Sequence, residues 1–251
     1  MITASFTLAG KHALVTGAGR GLGRGIAEAL AAAGARVTVC ARSQPELEDA
    51  ARGIRDGGGL ADILVADVTQ VARFAEAVNG IDPIDIFVNN AGTNRPKPLS
   101  EVTEEDYDAV MGLNLRASLF AAKAVSQRMI KAGRRGSIIN MSSQMGHVGA
   151  RNRTLYCASK WAIEGFTKAL AVELANDLIR VNTLCPTFIE TPMVRPFLDD
   201  DAFKSSVLDK IKLGRIGQVQ DIVGAAVFLA SDASSLMTGS SLLVDGGWTA
   251  E

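Results

Sequence analysis

Ala-Leu-Val-Thr-Gly-Ala-Gly-Arg-Gly-Leu-Gly, residues 13–23, is the stretch on which the reading of this chain turns. An apolar run ends at Thr16, the glycines Gly17, Gly21 and Gly23 follow, and Leu22, Ile26 and Leu30 then recur at helical spacing. A strand that passes through glycines into a helix lets backbone approach a pyrophosphate and aims N–H groups at it. The spacing is GxxxGxG rather than the strict GxGxxG, so this loop taken alone also fits a glycine-rich turn that holds no ligand. Gly34 is positioned to end the helix.

Outward from this loop, short β-branched runs alternate with longer segments of helical period, the pattern of repeated βαβ units. Strands are expected at 13–16, 36–40, 62–66, 84–88, 137–141, 179–184 and 241–244, enough for a doubly wound α/β sheet of seven parallel strands. Their near-continuous apolar character suits strands covered by helices on both faces. The 251 residues fit one domain that buries about three quarters of its unfolded surface. The stretch 187–214, before the last helix and strand, is too long for a turn and reads as a lid over a substrate.

Lys and Arg number 26 against 27 Asp and Glu, a formal charge of −1, so no global field is available to hold nucleic acid or an anionic membrane. Three cysteines, Cys40, Cys157 and Cys185, with no CxxC pair and no ligand-like histidine spacing, fit a reducing compartment better than a disulfide framework or a zinc site. No metal is expected, and the cytoplasm is the expected location. Residues 1–10 lack a basic stretch followed by an apolar core, and no segment reaches the roughly 18 apolar residues of a membrane span, so the chain reads as soluble and unprocessed.

Two clusters carry chemistry. An NAD site commonly places an acidic residue about 20 positions past the glycines to bond the ribose 2′-hydroxyl. Here the region reads Cys40-Ala41-Arg42-Ser43, with no carboxylate to repel a 2′-phosphate and with Arg42 able to pair with it. That favours NADP(H), while an Arg42 that is solvated or stacked on adenine leaves NAD(H) usable. Farther along, Tyr156 and Lys160 stand at i and i+4, on one helix face. A tyrosine of pKa about 10 is a poor base at neutral pH, and a neighbouring ammonium favours its phenolate. Ser143, just past a strand, is placed to bond a substrate oxygen. A YxxxK pair alone is equally an ordinary amphipathic helix; the combination carries the signal.

The ordered set Thr16 to Gly23, Asp67-Val68, Asn89-Asn90-Ala91-Gly92, Asn114, Ser143, Tyr156-Cys-Ala-Ser-Lys160, Pro186 with Thr191, and Asp245-Gly246-Gly247 resembles the short-chain dehydrogenase/reductase family over essentially the whole chain. The resemblance implies a Rossmann-type fold and a catalytic tetrad of Asn114, Ser143, Tyr156 and Lys160. In it Tyr156 is the general acid or base, Lys160 lowers its pKa and binds the nicotinamide ribose, and Ser143 polarises the substrate carbonyl. Asn114, on a locally distorted helix, holds a water in a proton relay. For the cofactor it implies the loop Gly17, Arg20, Gly21, Leu22 and Gly23, with Asp67 and Val68 flanking adenine and Asn90 and Gly92 beside the ribose. Pro186, Ile189 and Thr191 fall to the carboxamide end. Thr187 stands where the family usually has glycine. A homotetramer is implied, with candidate interfaces on the helix of residues 110–130, the Tyr156 helix and the tail 242–251; Leu115, Leu119, Phe120, Phe166 and Leu170 read equally as core.

The loops that select a substrate are polar. Asn94 and Arg95 follow the fourth strand, Gln144, His147 and Arg153 lie between Ser143 and Tyr156, and Arg195 is in the lid. Such donors suit a sugar, sugar acid or polyol interconverted between secondary alcohol and ketone. His147 also reads as a hydrogen-bonded loop residue, and Arg153 as one that is solvated or at a subunit contact. The alternative activity is 3-oxoacyl-[acyl-carrier-protein] reductase, which shares every motif. A cofactor-binding regulator without turnover is the remote alternative.

Overall fold

The computed structural model describes residues 5–251. The reading of the first ten residues as free of a targeting segment therefore falls partly on residues 1–4, outside the described residues.

The chain runs β1 (His12–Thr16), α1 (Gly21–Ala32), β2 (Arg36–Ala41), α2 (Gln44–Asp56), β3 (Leu60–Val65), α3 (Val71–Asn79) and β4 (Ile86–Asn89). Then come α4 (Glu104–Met111), α5 (Ser118–Lys131), β5 (Ser137–Met141), α6 (Thr154–Glu173), β6 (Arg180–Pro186), α7 (Arg195–Leu198), α8 (Asp201–Leu208), α9 (Val219–Ala230) and β7 (Ser241–Val244). The seven strands form one sheet in the order β3-β2-β1-β4-β5-β6-β7, and every pairing is parallel. This is the doubly wound, Rossmann-type arrangement, and its order reverses between β1 and β4, where ligands bind in such sheets.

Both faces are covered, as the apolar strands require. On one side Ile26 and Leu30 of α1, Leu47 of α2 and Ile222 and Leu229 of α9 are buried against Val15, Val37 and Val88. On the other, Phe74 and Val78 of α3, Val125 and Met129 of α5 and Leu170 of α6 cover Leu14, Phe87 and Ile138. Leu22, Ile26 and Leu30 do form the inward stripe of α1, and Gly34, at φ +103°, takes the left-handed conformation just past its end. Leu170 is core, whereas Leu115, Leu119, Phe120 and Phe166 are half-buried.

Five of the seven strands differ from expectation at one or both ends, and the two starts that move by two residues, those of β3 and β4, do so for local reasons. β3 begins at Leu60 and not at Asp62, because this sheet edge leaves Leu60 66% exposed and hydrophobicity does not mark it. β4 starts at Ile86 because Asp85 serves as a tie, its carboxylate accepting from the His12 N–H at 2.8 Å.

Candidate active site

Gly17 sits at φ +65°, and a Cβ there would come within 3.2 Å of the Ala91 backbone, so only glycine lets β1 turn this close to β4. A side chain at Gly23 would collide with the Gly17 carbonyl and the Asn90 amide. The first turn of α1 has no acidic residue and no side-chain cap on its N–H groups, unlike α4, which Thr103 and Asp106 close with a capping box. The loop thus leaves bare backbone donors facing a cleft of about 830 Å³ at the carboxyl edge of the sheet.

That cleft is lined by Gly17, Arg20, Gly21, Leu22 and Gly23, by Arg42, Asp67 and Val68, by Asn90 and Gly92, and by Ser143, Tyr156, Lys160, Pro186, Ile189 and Thr191. Asn90 has a more structural task than expected: its amide nitrogen donates to the Thr16 and Gly17 carbonyls at 2.8 and 3.3 Å and so holds the glycine loop. Asp67 accepts from the N–H and hydroxyl of Thr69. Arg20 meets Glu46 at 3.5 Å in an exposed pair, whereas Arg42 makes no ion pair among the described residues.

At the other end of the cleft Ser143, Tyr156 and Lys160 converge. The Lys160 ammonium is buried, donates to the Met141 carbonyl at 2.8 Å and lies 5.5 Å from the Tyr156 ring centroid. Burial lowers its pKa to about 8, against the opposing pull of Cys185 and Glu164. Burial of the phenol pushes Tyr156 up to about 12, while a hydrogen bond with Ser143 and the charge of Arg153 pull it down. Burial therefore holds the proton on Tyr156, Ser143 and Arg153 favour its release, and the expected lowering by Lys160 is not among the leading influences. The Ser143 hydroxyl donates to Gln144 Oε1 at 2.7 Å and accepts from the Met145 N–H at 3.1 Å.

Asn114 sits in a π-helical turn, Gly112–Ala117, between α4 and α5, the local distortion the resemblance implies. Its side chain brackets the Thr93 backbone, accepting from the N–H at 2.8 Å and donating to the carbonyl at 2.9 Å, and also donates to Ser159 Oγ at 3.1 Å. Thr187 does not disturb the end of β6: its N–H donates to the Val244 carbonyl, and its hydroxyl lines the cleft as a buried group without a partner.

The substrate candidates divide. Gln144 is buried beside Ser143, and Asn94 Oδ1 is buried without a hydrogen-bond partner. Arg153 is buried with its guanidinium over Phe197 and Phe203 of the excursion between β6 and α9, at 5.5 and 5.8 Å from their ring centroids. It is neither solvated nor free. None of the five lines the cleft: Arg95 is held by Glu105 and Asp106 at 3.1 and 3.2 Å, His147 turns toward Cys185 and Glu164, and Asn94, Gln144 and Arg153 lie outside the lining. The reading of the sequence missed Met193 and Val194, which line the cleft from that excursion, and the packing of Phe188 against Phe203 and Trp248. An apolar cluster drawn from such distant segments has no local sequence signal.

The model of a family described as enoyl-(acyl carrier protein) reductase matches residues 17–249. L-xylulose reductase of Bos taurus is 42% identical over 243 residues, 97% of this chain and 98% of that protein. Gluconate 5-dehydrogenase of Gluconobacter oxydans (strain 621H) is 38% identical, covering 97% of this chain and 96% of that one. The crystal structure of a gluconate 5-dehydrogenase from Burkholderia cenocepacia J2315, in complex with NADP and tartrate, matches with a TM-score of 0.94 at 38% identity, covering 99% of this chain and 98% of that one. With the glycine loop, the Ser/Tyr/Lys end of the cleft and the sheet order all in agreement, the chain belongs to the short-chain dehydrogenase/reductase family, oxidoreductases that act on CH–OH groups.

Proposed function

We propose that this protein interconverts a secondary alcohol and a ketone on a small polar substrate, a sugar, sugar acid or polyol, using NADP(H). The observation that carries the reading is the joining of an anion-binding glycine loop and a buried Ser143/Tyr156/Lys160 cluster by one continuous cleft.

The residues present fit NADP(H). The glycine cradle would be filled by any Cβ at Gly23, α1 offers uncapped N–H donors, and the unpaired Arg42 suits a 2′-phosphate. When bound, NADP(H) supplies the hydride donor or acceptor. Tyr156 then gives its phenolic proton to the carbonyl oxygen in reduction, or takes the hydroxyl proton in oxidation. Ser143 turns its hydroxyl from Gln144 to that same oxygen. Lys160 would stabilise the phenolate once it forms and would hold the nicotinamide ribose, and Asn114 braces the π turn beside which a water could carry a proton to Lys160.

The polar character of the substrate is supported by the unpartnered hydroxyl of Thr187, a residue that lines the cleft, which a substrate hydroxyl satisfies better than an apolar chain does. The named relatives act in the same chemical range: one is an L-xylulose reductase and another a gluconate 5-dehydrogenase. The segment 187–214, carrying Met193 and Val194, acts as the lid of a single domain.

We further infer a homotetramer, supported by exposed Tyr107, Trp161 and Val172 on α4 and α6 and by Leu243 on the sheet-edge strand β7. A cytoplasmic location is supported by three free cysteines, and no helix among the described residues is long and apolar enough to cross a membrane. The test of the catalytic reading is Tyr156→Phe. It should lower kcat by about 10²–10⁴-fold while NADPH affinity stays within about threefold. Retained turnover would overturn the role of Tyr156.

A further inference from the structure

Behind Lys160, outside the cofactor cleft, His147, Glu164 and Cys185 bring one ligand atom each within 4.8 Å of one another. They come from three elements: His147 from the loop after β5, Glu164 from α6 one turn past Lys160, and Cys185 from β6 beside Pro186. From these we infer a binding site for a zinc-class divalent cation.

The distances carry the inference. Cys185 Sγ lies 3.6 Å from His147 Nε2 and 3.3 Å from Glu164 Oε1, and His147 Nε2 lies 3.6 Å from Glu164 Oε1. A tetrahedral zinc ion, with bonds of about 2.0 Å to nitrogen or oxygen and about 2.3 Å to sulfur, sets its ligand atoms about 3.3–3.6 Å apart. The triangle already has the size of a zinc site. The ligand set of one thiolate, one imidazole and one carboxylate suits zinc and disfavours calcium and magnesium, which take oxygen ligands.

The surroundings are built as such sites are. Glu164 Oε2 accepts from Thr183 Oγ1 at 3.0 Å and Ser241 Oγ at 2.5 Å, which fixes the carboxylate and leaves Oε1 aimed at Cys185 and His147. The Ser142 hydroxyl is buried within hydrogen-bond reach of Cys185 and is committed to no other group. It is therefore available as a donor to the metal-bound thiolate or as a fourth contact. Glu164 and Cys185 are buried, and His147 is 27% exposed, which gives an ion its way in. A bound cation cross-links the segments that carry Ser143, Tyr156 and Pro186, so it stabilises the folded protein by mass action.

The test is addition of Co²⁺, then Zn²⁺, to full-length protein stripped with a chelator. One Co²⁺ per chain is expected, with thiolate-to-cobalt charge-transfer absorption that Zn²⁺ abolishes. Zn²⁺ should also raise Tm by roughly 3 °C or more where equimolar Mg²⁺ and Ca²⁺ do not. Cys185→Ser should lose the absorption and the Tm shift, Cys157→Ser should keep both, and His147→Gln should weaken binding at least tenfold. His147→Gln, at the exposed edge of the cluster, keeps the test decisive if Cys185→Ser does not fold. Absence of stoichiometric binding, binding unchanged in His147→Gln, or absorption that persists in Cys185→Ser overturns the inference.

Discussion

The Lys160 ammonium lies 5.5 Å from the Tyr156 ring centroid while donating to the Met141 carbonyl. Both side chains are drawn into the protein by the same helix face of α6, and burial moves them in opposite directions: the phenol up to about 12, the ammonium down to about 8. Each is driven toward its neutral form, so at neutral pH Tyr156 holds its proton. In the role proposed for Tyr156, this favours proton donation in ketone reduction.

A pH asymmetry follows. Reduction needs the protonated phenol and oxidation needs the phenolate, so kcat/KM for reduction should be flat between about pH 6 and 8. Oxidation should climb by about tenfold per pH unit over the same range. Profiles of both directions with one enzyme preparation check this; a flat oxidation profile would contradict the raised Tyr156 pKa.

Lys160 should carry a stability cost that depends on pH. The unfolded chain keeps the lysine proton to its ordinary 10.5 and the folded protein only to about 8, so between those values the unfolded state binds more protons and stability rises with pH. Lys160→Met removes the buried charge. It should raise Tm at pH 7 while abolishing turnover, with an advantage over the parent that shrinks from about pH 8 to 10. Equal Tm differences at pH 7 and pH 10 would show that burial does not disfavour this charge.

Arg42 should set cofactor choice. Charge-assisted pairing is worth about 1.5–3 kcal/mol, so Arg42→Ser should reduce the NADPH over NADH preference by about 10–100-fold, and Arg42→Asp should turn it toward NADH. The ratio of kcat/KM values for the two cofactors is the measurement.

Arg153 ties α6 to the segment between β6 and α9 by lying over Phe197 and Phe203. Arg153→Met preserves volume and removes the cation, at a loss of about 1 kcal/mol. Proteolysis within 195–208 should quicken about fivefold. Because Arg153 also pulls the Tyr156 pKa down, the oxidation profile should move to higher pH.

The strands were legible where two covered faces demand apolar residues, as in Phe87 and Val88; β3, a sheet edge, was misplaced because Leu60 is exposed. Gly17 and Gly23 could be read because their job is local to the turn. What escaped depended on partners distant in sequence. Nothing near Arg95 announces that Glu105 and Asp106 take its charge, and nothing near His147 points to Cys185. The stacking of Arg153 on Phe197 and Phe203 is likewise a product of the fold.

The most direct test of the central claim is kcat/KM with NADPH for a panel of ketoses and keto-sugar acids, measured beside an acetoacetyl thioester. The account predicts turnover of the hydroxylated ketones at least about 100-fold more efficient than that of the thioester, because the polar groups of the pocket are left unpaired by an apolar chain. Efficient reduction of the thioester with none of the sugars would contradict it and move the protein to acyl-chain chemistry.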